Sequence, residues 1–76
     1  MSSIRKKFMV ELIKLDSPLS NVDVEDVASA LGISLPDAEA VARELLEEGC
    51  IEIVGGGGNI APTGKGRMLA ADPNWE

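Results

Sequence analysis

Apolar residues recur every three or four positions along the first part of the chain, which is the spacing of amphipathic helices. The first stretch of this kind contains Ile4, Phe8, Leu12 and Leu15, separated mainly by charged residues. Pro18 stops it, because a proline disfavours helical geometry at the residue before it. The pattern predicts a first helix over residues 4–15, followed by a turn across residues 17–21.

Two further helices are predicted on either side of a glycine. Asp23 is a favourable N-cap for the first of them, and Gly32 suits the left-handed residue that ends many helices. Ser34 can cap the next helix, which covers residues 35–48 and has Pro36 in its first turn. The apolar faces are predicted to be Val24, Val27, Ala28 and Leu31 on the first helix, and Ala38, Val41, Ala42, Leu45 and Leu46 on the second.

The apolar spacing changes after Gly49 to the alternation of a β-strand. Ile51 and Ile53 alternate with other residues, and a second short apolar pair, at residues 60–61, follows four glycines and Asn59. This predicts a β-hairpin with a flexible tip over residues 55–59, since glycine tolerates the backbone angles of a tight turn.

A short helix and a tail complete the chain. Thr63 is a favourable N-cap for a helix ending at about Ala71, and Met68 and Leu69 are its predicted apolar anchors. The prediction is a single domain over residues 1–71 with a tail over residues 72–76, mainly α with a small β-hairpin. Trp75, in the tail, is either a loose residue or an anchor against a partner, since aromatic residues are enriched at interfaces.

The formal charge of −6 is distributed unevenly. Residues 1–15 carry Arg5, Lys6, Lys7 and Lys14 against Glu11, a net of +3, whereas residues 16–52 carry ten carboxylates against Arg43 alone. Acidic proteins do not adhere to nucleic acid or anionic membranes through charge alone, although a local basic contact is compatible with this balance.

The sequence predicts a cytoplasmic protein that does not enter a membrane. Cys50 is the one cysteine, and no segment approaches the roughly 18 apolar residues of a membrane span. The basic and then apolar start is similar to a secretory signal, but Glu11 and Lys14 interrupt the apolar stretch and no cleavage site of small residues follows.

No enzyme, cofactor or metal site is expected. The chain has no histidine and no tyrosine, so the usual pairs of nucleophile and base are missing. Cys50 lacks ligands with which to share a metal and is better interpreted as a small half-buried residue. Gly55–Gly58 and Gly64-Lys65 do not have the spacing of a phosphate-binding loop, which favours the hairpin tip. The carboxylates show no calcium-loop pattern.

Three short segments resemble the winged helix-turn-helix family, which includes many small bacterial and archaeal regulators. They are VEDVASALGIS at residues 24–34, LLEEGCI at residues 45–51 and PTGKGR at residues 62–67. They look like the family's apolar-Ala-x-x-Leu-Gly-apolar-Ser run, its Leu-x-x-x-Gly-x-Ile close and the Thr-x-x-Gly step after the wing. The resemblance covers residues 22–69 and implies a three-helix core, a two-stranded wing and a short C-terminal helix.

The resemblance also implies a DNA-binding protein of the transcriptional-regulator type. Helix 35–48 would enter the major groove of double-stranded DNA, and the tip at 55–59 would reach a minor groove or the backbone. A homodimer paired through the first and last helices is expected. The implied contact residues are Arg5, Lys6, Lys7, Pro36, Asp37, Glu39, Ala40, Arg43, Gly57, Asn59, Lys65 and Arg67.

The acidity of the third helix supports an alternative. Over residues 34–49, five carboxylates stand against Arg43, and carboxylates repel the phosphates that supply most non-specific affinity for DNA. In this alternative the domain is a winged-helix protein-interaction module, whose acidic helix face docks on a basic protein surface. An acidic surface is also compatible with adaptation to a saline cytoplasm, in which case the charge would not reflect the partner.

Overall fold

The computed structural model describes residues 3–19 and 21–76, and it contains the predicted elements in the predicted order. The elements are α1 (Ile4–Leu15), α2 (Val24–Leu31), α3 (Leu35–Glu47), β1 (Ile51–Val54), β2 (Asn59–Pro62) and α4 (Gly64–Ala71). The prediction of a mainly helical fold with one small hairpin is confirmed. The predicted turn at 17–21 includes Ser20, which lies outside the described residues.

The predicted signals at the helix ends form the expected hydrogen bonds. The side chain of Asp23 accepts from the backbone of Asp26, whose own side chain accepts from the backbone of Asp23, so α2 begins with a reciprocal capping box. Gly32 ends α2 with a φ of 70°, in the left-handed region. Oγ of Ser34 then accepts from the backbone N–H of Asp37 at 3.3 Å and caps α3. These caps fix the tight turn between α2 and α3.

The core lies where α1, α2 and α3 meet the hairpin, and Phe8 is the one aromatic residue among its buried residues. It is formed by Phe8, Met9, Leu12, Val22, Val27, Ala28, Ala38, Val41, Ala42, Leu45, Cys50, Ile51 and Ile60. Four positions of the predicted helical apolar faces are exposed. Two of them, Ile4 at 41% and Leu15 at 37%, are the first and last residues of α1. Leu46 is 39% exposed because it lies beside the buried stripe of α3, and Met68 is 76% exposed because α4 packs through Gly66 and Leu69 instead.

The hairpin is held to the helical core by backbone hydrogen bonds. β1 and β2 are antiparallel, with Ile53 opposite Ile60. The backbone N–H of Ile60 also donates to the carbonyl of Val22 at 2.8 Å, which fixes β2 beside the segment that precedes α2. Asn59 is already paired with Val54, so the tip is one residue shorter than predicted and consists of Gly55–Gly58.

The Thr-x-x-Gly segment joins the start of α4 to the end of α3. Thr63 caps α4 through the backbone N–H of Gly66, and its hydroxyl donates to the carbonyl of Gly49 at 2.6 Å. Nζ of Lys65 donates to the carbonyl of Glu48 at 2.7 Å. Since carbonyls at a helix end lack partners within the helix, these contacts satisfy them and stabilise the end of α3.

Candidate nucleic-acid interface

One side of α3 points away from the core. Pro36, Ala40, Arg43 and Glu47 are exposed, whereas the residues that α3 buries lie on the opposite side. At about 3.6 residues per turn, the four exposed positions form a line along the helix, which we call the outward stripe. The single positive charge of Arg43 balances the negative charge of Glu47, so the outward stripe carries no net charge.

Two other carboxylates, Glu44 in α3 and Glu48 at its C-cap, turn toward α1 and pair with Arg5. Nη1 of Arg5 lies 3.4 Å from Oε1 of Glu44, and Nη2 donates a 2.5 Å hydrogen bond to Oε1 of Glu48. Glu76 places Oε2 2.6 Å from Nε of Arg5. The guanidinium carbon lies 6.0 Å from the centre of the Trp75 ring, within the range of a cation–π contact. These five residues are the Arg5 cluster.

Arg5 draws two carboxylates away from the outward stripe, although its one positive charge is shared with Glu76 as well. The side chain of Arg5 is only 20% exposed, so its charge is held close to Glu44 and Glu48. The side chain of Glu44 is still 57% exposed, but of the segment's carboxylates only Glu47 belongs to the outward stripe. Asp37 lies in the first turn and Glu39 lies on one flank, both exposed. The line that would enter a groove is therefore neutral.

The flank that carries Glu39 is partly apolar. Leu35 is 41% exposed and Leu46 is 39% exposed, and their spacing places them on the same flank as Glu39. Large aliphatic side chains with a carboxylate between them are more suitable for contact with a protein than with phosphates.

The wing extends from the C-terminal end of α3. The backbone N–H of Cys50 donates to the carbonyl of Leu45 at 2.9 Å, so the hairpin follows the helix without a flexible linker. Gly57 lies at the exposed tip, while Asn59 is half-buried at the start of β2. Gly55 and Gly58 have φ angles of 70° and 79°, which explains why glycine suits both corners of the tip.

The other cations named from the sequence do not join the outward stripe. Lys65 is bound to the end of α3, and Arg67 pairs with Asp16 at 2.8 Å. Nζ of Lys6 donates to the carbonyl of Asp72 at 2.9 Å. Lys7 lies on the side of α1 opposite to Arg5, because positions two apart on a helix point in nearly opposite directions. Among the described residues, Arg43 is therefore the one cation on the outward stripe, where it lies beside Pro36 and Ala40.

The sequence did not reveal the role of the C-terminal segment. Trp75 packs against the hydrophobic core of its own chain, and the backbone N–H of Ser3 donates to the carbonyl of Glu76 at 2.9 Å. Neither the interpretation of Trp75 as a loose residue nor that of a partner anchor included this contact. The signal available in the sequence was an aromatic residue and a carboxylate close to the chain end, together with an arginine in the first helix.

Glu48→Gln is expected to flatten the acid side of the pH–stability profile. The hydrogen bond from Arg5 outweighs desolvation and holds the pKa of Glu48 below its ordinary value of 4.5. A carboxylate with a depressed folded pKa contributes stability that is present above its unfolded pKa and is lost as the pH falls through the folded value. The free energy of unfolding should therefore decline below about pH 4.5, and decline less in the variant.

Urea unfolding at successive pH values measures this effect. Glu47→Gln is the matched control, because it removes a neighbouring carboxylate that lies on the outward stripe and not beside Arg5. If both variants lose stability on acidification as steeply as the parent chain, the ion pair does not hold Glu48 as described.

Neither Cys50 nor the acidic side chains of the described residues form a metal site. Cys50 is fully buried, and burial raises the pKa of its thiol, so the neutral form predominates at neutral pH. Its burial is more complete than predicted from the sequence. Across residues 3–19 and 21–76, no three histidine, cysteine or acidic side chains are placed to hold a metal ion. None of the helices in these ranges is long and apolar enough to cross a bilayer.

Comparison with solved structures shows which architecture this arrangement represents. The chain is similar to a glycine-to-lysine variant of MepR from S. aureus, a MarR-family winged-helix regulator, with a TM-score of 0.78 and 20% sequence identity. The fold is a winged helix-turn-helix. The match covers 92% of this chain and 53% of the MepR chain, so this chain spans about half of that protein's length. No family model matches the sequence, and no curated protein matches it either.

Proposed function

We propose that this protein binds double-stranded DNA as a cytoplasmic transcriptional regulator without a catalytic site. The outward stripe of α3 enters the major groove, and the Gly55–Gly58 tip meets the neighbouring minor groove or backbone. The observation that supports this most is the neutral outward stripe, with Arg43 as its cation, on a fold shared with a regulator. The carboxylates of Glu44 and Glu48, which would repel phosphates, are turned toward Arg5.

Four residues of the interface can make specific contacts with DNA. Arg43 can donate to guanine or to a phosphate, and Ala40 and Pro36 are small apolar surfaces that fit the methyl group of thymine. Asn59 at the base of the wing can donate to the backbone. Few cations are available to displace counterions, so affinity should depend only weakly on salt concentration.

Arg43→Ala is expected to weaken DNA binding by about tenfold, because a good arginine contact to a base contributes roughly 1–3 kcal/mol. Fluorescence anisotropy with duplexes recovered by selection from a random pool measures the change. Lys14→Ala is the matched control, since it removes one cation from α1 on the far side from the Arg5 cluster. Equal losses in the two variants would contradict a contact through α3, and failure to recover any duplex would contradict DNA binding itself.

A second candidate function rests on the apolar flank of α3. Leu35, Glu39 and Leu46 together fit a basic protein surface with an apolar centre, as in the alternative drawn from the sequence. Leu35→Ser and Leu46→Ser would abolish such binding and leave DNA affinity unchanged. The homodimer through α1 and α4 that the sequence leads us to expect would use the outer face of α1 and α4, in competition with any other partner of that face, and sedimentation equilibrium tests it directly.

A further inference from the structure

Two adjoining hollows lie on the outer face of α1, away from α3. The first has a volume of about 300 Å³ and lies between α1 and α4, where Val10, Ile13, Ala70 and Ala71 supply its apolar lining. The second has a volume of about 290 Å³ and lies beside the end of α2, with Val10 and Leu31 as its apolar lining. Val10 forms a wall of both hollows, so they are neighbours. We call them together the α1 groove.

The α1 groove is ringed by cations in a chain that is otherwise acidic. Lys6 and Lys7 line the second hollow, and Lys14 and Arg67 line the first. These are four of the chain's seven basic residues, although the chain as a whole carries a charge of −6. The side chains of Lys14 and Arg67 are 67% and 50% exposed, so their charges are available at the rim.

The carboxylates at the groove neutralise only part of this charge. Glu11 lies 3.5 Å from Lys14, and Asp16 lies 2.8 Å from Arg67. Four cations therefore face two carboxylates, and a positive rim surrounds an apolar floor. A partner that complements both must be apolar at its centre and acidic at its edges.

We propose that the α1 groove binds an acidic amphipathic helix of a partner protein. Side chains at positions i and i+4 lie on one face of a helix, so such a helix can present two large apolar side chains to the two hollows that share Val10. Carboxylates beside them then meet Lys7, Lys14 and Arg67. A two-fold copy of this chain fits less well, because a self-complementary contact places this positive patch against itself.

The groove also lies apart from the proposed DNA interface. Lys7, Val10 and Lys14 are on the side of α1 opposite to Arg5, which faces Glu44 and Glu48 of α3. The domain can therefore hold DNA through α3 and an acidic helix through α1 at the same time.

The test uses the full chain and a synthetic alanine-rich helical peptide that carries two leucines four positions apart, flanked by glutamates. Amide shifts are expected on Val10, Ile13, Ala70 and Ala71. A matched peptide with lysines in place of the glutamates should bind at least about tenfold more weakly, since the rim is positive. The double variant K7E/K14E should weaken the acidic peptide by a similar factor, and Arg43→Glu should leave its binding unchanged.

Three results would overturn the proposal. They are equal binding of the lysine peptide, shifts that fall on α3 rather than on the α1 groove, and dilution-dependent shifts at the groove without peptide, which would assign it to a second copy. Arg43→Ala separates this proposal from the proposed function, since it should impair DNA binding and leave peptide binding intact.

Discussion

Gly66→Ala is expected to lower the free energy of unfolding by about 3 kcal/mol, although alanine is favoured over glycine within helices by about 1 kcal/mol. A Cβ atom at this position would lie 2.1 Å from the carbonyl oxygen of Cys50 and 2.7 Å from Cε of Met9. The methionine can move, but the carbonyl belongs to backbone that already accepts from the N–H of Thr63 at 3.0 Å. The variant must therefore push α4 away from the start of the hairpin.

Gly64→Ala supplies the control for this substitution, because it lies in the same helix and a Cβ there would meet nothing within 4 Å. Its free energy of unfolding in urea should equal or slightly exceed that of the parent chain. If the Gly66 variant were as stable as the Gly64 variant, α4 would not approach Cys50 as closely as described.

Arg5→Met is expected to lower the free energy of unfolding by about 2 kcal/mol, between the effects of losing an exposed and a buried ion pair. Methionine keeps much of the apolar stem but leaves Glu44, Glu48 and Glu76 close together without the guanidinium that pairs with all three. The substitution should also weaken DNA binding, since two carboxylates of α3 then repel phosphates.

Chemical denaturation at low and high salt measures the stability change, and the difference should shrink at high salt because exposed charges are screened. Arg43→Met removes a cation from the outward stripe and should change stability by less than about 0.5 kcal/mol. Similar losses in the Arg5 and Arg43 variants would show that the Arg5 cluster does not join α1 to α3 and the C-terminal segment.

Most of the backbone architecture could be predicted from the sequence because its signals are local. Asp23 and Ser34 cap helices through residues three positions away, and Gly32 ends a helix through its own backbone angles. These interactions depend on sequence neighbours, so the sequence contains what is needed to recognise them. The same holds for the hairpin, whose glycines stand at the corners of the turn.

The electrostatics of the candidate interface could not be predicted in the same way. Arg5 and Glu48 are 43 positions apart, and Arg67 and Asp16 are 51 apart, so their pairing depends on how helices pack. A charge count from the sequence includes Glu44 and Glu48 in the surface that faces the groove. Packing turns them toward α1, and it also withdraws Arg5 from the set of cations available to DNA.

A chemical-shift titration with selected duplex DNA at low salt maps which face of the domain meets the ligand. If α3 and the wing bind DNA, shifts are expected on Ala40, Arg43 and the Gly55–Gly58 tip, with little change on the outer face of α1 around Val10. Shifts confined to α1, or no shifts on α3 at saturating DNA, would contradict binding through α3 and the wing.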